Sequence, residues 1–121
     1  MGKHVLLIED EPNIIEAITY ILRHDGWKVS THSDGTSAVS VVNDLSPDLV
    51  ILDVMLPGRS GFEILQDLRG QAATTTLPVL MLTAKGQAKD RQAAHTLGAS
   101  HYMTKPFSNQ EMLDVVRGLM P

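Results

Sequence analysis

The sequence predicts an α/β fold, a single five-stranded parallel sheet wound on both faces by five helices. Three observations carry this expectation. Apolar runs at residues 5–8, 49–52 and 79–82 are four residues long and do not alternate, which is how strands read when both faces of a sheet are covered. Segments of helical periodicity separate the runs. The connections are short, so successive strands join by right-handed crossovers into an open parallel sheet.

Each element has its own signal. Val5, Leu6, Leu7 and Ile8 form the first strand, and Ile14, Ile15, Ile18, Ile21 and Leu22 then recur at helical spacing. Pro12 suits the first turn of that helix and Gly26 its stop. A weaker second strand spans 27–32. Asp34 is placed to cap a helix carrying Ala38, Val41, Val42 and Leu45, which Pro47 ends. After the third strand, Ser60 starts a helix with Phe62, Leu65 and Leu68 on one face and Gly70 at its close. After the fourth, a helix over 89–97 stops at Gly98. A fifth strand at 100–104 precedes a capping box, Ser108 to Glu111, ahead of Met112, Val116 and Leu119. No repeat, low-complexity tract or linker interrupts the chain, so 1–121 is read as one domain.

Composition narrows the function classes. Apolar residues make up 43% and charged residues 20%, ordinary values for a globular protein with a core. No apolar run approaches a membrane span, and no signal-peptide pattern opens the chain. Met1-Gly2 is not a myristoylation start, because Leu6 stands where Ser or Thr is needed. With no cysteine there is no disulfide framework and no thiolate site. A cytoplasmic protein is expected. The net charge of -4 argues against broad electrostatic contact with nucleic acid.

Ligands of such sheets bind beyond the carboxyl ends of the strands, near the point where strand order reverses. The residues closing the runs are therefore the ones to weigh: Glu9 and Asp10, Asp53, Thr83 and Lys105. Three carboxylates that converge there repel one another unless a proton or a cation intervenes. A hard divalent cation with oxygen ligands is the natural answer, and magnesium fits one or two carboxylates, waters and a phosphate oxygen. Zinc does not fit, since no pair of the five histidines has ligand spacing. A cation would let a phosphoryl group approach a carboxylate nucleophile, with Lys105 and Thr83 holding its oxygens. Plainer readings exist: Glu9-Asp10-Glu11 as an acidic helix start, Asp53 as a turn residue, Thr83 as a loop cap, Lys105 as a surface lysine.

Four motifs in order then set the resemblance. Leu7-Ile8-Glu9-Asp10-Glu11-Pro12, Leu52-Asp53-Val54-Met55-Leu56-Pro57-Gly58 running to Gly61-Phe62-Glu63, Leu82-Thr83-Ala84, and Gly98-Ala99 with Tyr102-Met103-Thr104-Lys105-Pro106-Phe107 resemble the receiver (CheY-like) domains of two-component response regulators. The match covers essentially the whole chain and implies a flavodoxin-like strand order of 2-1-3-4-5.

The resemblance implies a role for each residue. Asp53 is the phospho-acceptor, taking a phosphoryl group from a phosphohistidine of a sensor kinase or phosphotransfer protein. Asp10, Asp53 and the Met55 backbone carbonyl hold Mg²⁺, with Glu9 acting through water. Thr83, the Ala84 backbone and Lys105 bind the phosphoryl group, and the Lys105-Pro106 bond is expected to be cis. Thr83 and Tyr102 form the switch, which alters the surface of the fourth helix, fifth strand and fifth helix. That face is a possible homodimer surface. The domain is not an enzyme beyond its own phosphorylation and dephosphorylation, and neither membrane nor direct nucleic-acid contact is expected of it. Residues two past the acceptor (Met55) and two past the threonine (Lys85) tend to influence phosphoryl lifetime in this family, and Met55 offers no acid to assist water attack.

Two alternatives share parts of this pattern. A magnesium-dependent phosphohydrolase with an aspartate nucleophile usually needs a second Asp where Met55 stands. A flavin carrier needs a Ser/Thr/Gly-rich phosphate loop where Glu-Asp-Glu-Pro stands. The opening motifs and the Leu56-Pro57-Gly58 segment resemble the receivers of winged-helix transcription factors. Their dimer pairs two acids before the switch aromatic with a basic fifth helix. Ser100-His101 and Gly118-Leu119-Met120 occupy those positions here, so that salt-bridged dimer is not expected. The chain closes at Met120-Pro121, where the fifth helix should finish, so both a free-standing regulator and a receiver from a longer protein remain open.

Overall fold

In the computed structural model, described for residues 3–84 and 88–120, strand and helix alternate five times. The order is β1 (His4–Ile8), α1 (Pro12–His24), β2 (Lys28–His32), α2 (Ala38–Leu45), β3 (Leu49–Asp53), α3 (Gly61–Gly70), β4 (Val79–Thr83), α4 (Ala88–Leu97), β5 (His101–Thr104) and α5 (Asn109–Leu119). All pairings are parallel, and the sheet runs β2-β1-β3-β4-β5. The expected doubly wound sheet of order 2-1-3-4-5 is therefore the one observed.

Alternation along the buried strands sorts the core into two layers. Val5, Leu7, Leu49, Ile51, Leu80 and Leu82 face α1 and α5, where Ile18, Leu22, Met112 and Val116 meet them. Leu6, Ile8, Val50, Leu52, Val79 and Met81 face the other way, against Val42, Ile64, Leu65, Leu68 and Ala94 from α2, α3 and α4. Because β1, β3 and β4 are covered on both sides, their side chains are apolar on both faces, and each fully buried Leu or Ile contributes about 1.5–3 kcal/mol.

Local signals set the helix ends. Pro12 opens α1, and Gly26 leaves it at φ +93, a conformation that costs glycine nothing. Ser60 and Ser108 each close a capping box with Glu63 and Glu111. Asp34 does not cap α2. Its Oδ1 accepts from the Thr36 N–H at 3.2 Å and its Oδ2 from the Ser37 hydroxyl at 3.3 Å, so it is spent on its own turn and the helix starts later, after Ser37. Trp27 lies just outside β2, its indole N–H donating to Asp25 Oδ2 at 3.1 Å. Ser100 lies just outside β5 but still exchanges backbone and hydroxyl bonds with Val79.

Candidate functional site

The sheet places the chemistry at the carboxyl edge of β1, β3, β4 and β5. Strand order reverses between β1 and β3, and Asp53 sits at that reversal. β3 and β4 each run one residue beyond their apolar runs. Asp53 and Thr83 are thereby drawn into the sheet, at 2% and 4% exposure. The ladder also continues past the strand ends. Val54 N–H donates to the Leu82 carbonyl at 2.9 Å and Lys105 N–H to the Thr83 carbonyl at 2.7 Å. Backbone pairing alone thus carries Lys105 to the same edge as Asp53 and Thr83. Its bond to Pro106 is cis.

Glu9, Asp10 and Asp53 each bring a carboxylate oxygen within 4.8 Å of the others. Glu9 is fully buried; its Oε2 accepts from the backbone N–H groups of Asp10 at 3.0 Å and Glu11 at 3.2 Å. Lys105 Nζ lies 2.8 Å from Glu9 Oε1, 3.0 Å from Glu11 Oε1 and 3.5 Å from Asp53 Oδ1. The Glu9 contact is an ion pair without the alignment of a hydrogen bond, which leaves Oε1 with unused acceptor capacity. Asp10 is exposed at the mouth, beside a groove bordered by Met55 and the loop to α3.

The electrostatics follow from burial. Asp53 is pushed up to about 7, first by burial and then by the hydrogen bond and charge of Glu9; the Lys105 ammonium and the Met55 backbone N–H oppose this. Burial alone would lower the Lys105 ammonium. Its contacts with Glu9 and Glu11, and then the charges of Asp53 and Glu9, outweigh burial and hold it above the ordinary lysine value. Three clustered carboxylates against one ammonium leave negative charge uncompensated, and every donor is a hard oxygen. That donor set fits magnesium and does not fit a thiophilic metal.

The structure brings Glu9, Asp10, Asp53, Thr83 and Lys105 to one edge. Ala84 follows Thr83 there, exposed, while Lys85 lies outside the described residues. Tyr102 is half-buried on the edge strand β5, with the Arg91 guanidinium 5.7 Å above its ring centroid. Sequence reasoning missed Glu11 as a site residue. It lies before the first turn of α1, its side chain makes no cap bond, and it reaches Lys105 instead. Its place in the Glu9-Asp10-Glu11 triplet was the available signal. The histidines stay outside the site: His4 bonds Ser30 and His32 bonds Ser37.

The model of the response regulator receiver domain family matches residues 5–117. The phosphate regulon transcriptional regulatory protein PhoB of Escherichia coli (strain K12) is 38% identical over 99% of this chain and 52% of its own length. The chain spans about half the length of the curated relatives it matches. Among solved structures, the chemotaxis response regulator CheY4 of Vibrio cholerae superposes with a TM-score of 0.92 at 28% identity, covering 99% of this chain and 100% of that one. The receiver domain of the sensor histidine kinase PA1611 of Pseudomonas aeruginosa PAO1 has a TM-score of 0.90 at 28% identity over 98% of both chains. That structure holds a magnesium ion in its active-site cleft. The phosphohydrolase reading finds no support in these relationships. A parallel sheet with three carboxylates and a lysine at its reversal point, matched along nearly its whole length, makes this chain a response regulator receiver domain of two-component signalling.

Proposed function

We propose that Asp53 accepts a phosphoryl group from a phosphohistidine of a sensor kinase or phosphotransfer protein, within a single receiver domain spanning 1–121. The observation that carries this is the position of Asp53. It is buried at the reversal point, with the Glu9 and Asp10 carboxylates within 4.8 Å and Lys105 Nζ 3.5 Å away. An Asp53 carboxylate oxygen attacks phosphorus, the P–N bond of the donor breaks, and the imidazole leaves with a proton from solvent. Lys105 neutralises charge on the transferred oxygens, while the Thr83 hydroxyl and the Ala84 backbone N–H donate to them. Asp10, Asp53 and the Met55 carbonyl are the magnesium ligands in this reading, with Glu9 acting through water. The ion supplies charge neutralisation, without which anion would meet anion.

Thr83 and Tyr102 then couple the acceptor to the face made by α4, β5 and α5, which serves partner binding or a homodimer. A phosphate need favour a pre-existing active state by only a few kcal/mol to shift its population. The chemistry is confined to the domain's own phosphorylation and dephosphorylation, in the cytoplasm. DNA contact, where a longer protein makes it, belongs to segments outside this domain. Met55 supplies no acid for water attack, so the phosphorylated form outlives seconds. No helix among the described residues is long and apolar enough to cross a membrane.

Treatment with acetyl phosphate, with and without Mg²⁺, followed by intact-mass and peptide analysis, tests the reading. One labile phosphoryl group on Asp53, dependent on Mg²⁺, is expected. An Asp53→Asn variant that still gains one would overturn it.

A further inference from the structure

Lys105 is held by more partners than phosphoryl binding requires. Its ammonium has three N–H groups and faces three carboxylate oxygens, those of Glu9, Glu11 and Asp53 at 2.8, 3.0 and 3.5 Å. Of the three, the Glu11 contact has hydrogen-bond alignment, so the ammonium already donates to Glu11 before any phosphoryl group arrives. A phosphoryl group on Asp53 therefore competes with Glu11 for this cation.

The partners differ in what release costs. Glu9 is fully buried, and parting it from its cation would strand a buried charge. Asp53 is itself the acceptor. The Glu11 side chain is 57% exposed, so water replaces the ammonium when the pair opens. Glu11 also has no competing duty, because it makes no side-chain bond to the first turn of α1.

We propose that Glu11 is a positioning residue that parks the Lys105 ammonium in the unphosphorylated domain and releases it when Asp53 is phosphorylated. Its charge then opposes the phosphorylated state and restrains the rate of acquiring it. This rests on Asp53 being the acceptor.

The test follows phosphorylation by acetyl phosphate below saturation, at fixed Mg²⁺, in a double-mutant cycle of Glu11→Gln and Lys105→Ala. Glu11→Gln keeps the shape and removes the charge. It is expected to raise the rate constant about twofold to fivefold where Lys105 is present, the worth of a part-exposed ion pair. The gain should collapse in the Lys105→Ala background. An equal gain in both backgrounds would mean simple repulsion of the anionic donor and would overturn the positioning role. A structure with beryllofluoride, a phosphoryl mimic, gives a readout independent of rate. Lys105 Nζ should keep Glu9 and lie more than about 4 Å, the limit of an ion pair, from the Glu11 carboxylate. A retained Lys105–Glu11 contact beside the mimic would sink the idea. A labelled parent with an unchanged Glu11→Gln variant removes this proposal alone, whereas a parent that takes no label removes the Asp53 reading and this with it.

Discussion

Gly61, the first residue of α3, lies so tightly over the backbone of Asp53 that a Cβ built on it would overlap the Asp53 carbonyl oxygen and come within 2.9 Å of the Val54 Cα. The Gly61 N–H donates to the Val54 carbonyl at 2.8 Å, which closes the turn after the acceptor strand. The atoms in the way are backbone, so no flexible side chain can yield. Gly61→Ala should therefore push the loop off the Asp53 strand. The expected loss is about 1–3 kcal/mol of stability, typical of overpacking, with slower labelling of Asp53. Urea denaturation and acetyl phosphate labelling check this, and unchanged values in both would contradict it.

That contact also shows what the sequence could and could not disclose. The strands of the centre were legible because β1, β3 and β4 are buried on both faces, which forces continuous apolar runs such as Leu49 to Leu52. The site was legible because strand ends gather at one edge, which marks Asp53, Thr83 and Lys105 without any distance. Glu11 was not legible as a partner of Lys105. Their meeting depends on a side-chain direction across 94 positions, and the N-cap position of Glu11 pointed to the helix instead. Asp34 misled in the opposite sense, since a turn and a cap use the same short acid.

Asp53 makes stability depend on pH in magnesium-free buffer. Its folded-state value is raised from 3.8 to about 7, first by burial and then by Glu9. The folded domain thus binds the proton more tightly than the unfolded chain. The favourable contribution is complete below the unfolded value and is lost as pH rises through about 7. Asp53→Asn removes this dependence. The variant should match the parent near pH 4, gain steadily up to pH 7, and hold that advantage at pH 8. Equal stabilities at pH 8 would show that Asp53 ionises there without strain.

Magnesium should reverse that cost. The clustered oxygens of Glu9, Asp10 and Asp53 exist only in the folded chain, so an ion bound there stabilises the native state by mass action. At tenfold excess over the dissociation constant the gain is about 1.4 kcal/mol. Thermal unfolding with Mg²⁺ and with chelator measures it. Asp10→Asn removes an exposed carboxylate without touching the core, and it should lose most of the Mg²⁺-dependent shift while folding normally in chelator. A full shift in that variant would exclude Asp10 from the ion site.

Arg91 and Tyr102 join α4 to β5, and this contact counts for more than its size suggests. α4 buries only Ala94 among its described side chains, so little apolar area fixes it to the sheet. A guanidinium 5.7 Å over the Tyr102 ring supplies attraction where the hydrophobic contribution is thin. Arg91→Ala should cost about 0.5–1 kcal/mol, the range for an exposed cation over an aromatic face. The acceptor cluster is built from the ends of β1 and β3 and from Lys105, and among the described residues its ion pairs do not include Arg91, so acetyl phosphate labelling of Asp53 should stay within about twofold of the parent. Hydrogen exchange would locate the loss in α4. Uniform loosening of the whole sheet instead would mean that Arg91 does more than hold this helix against Tyr102.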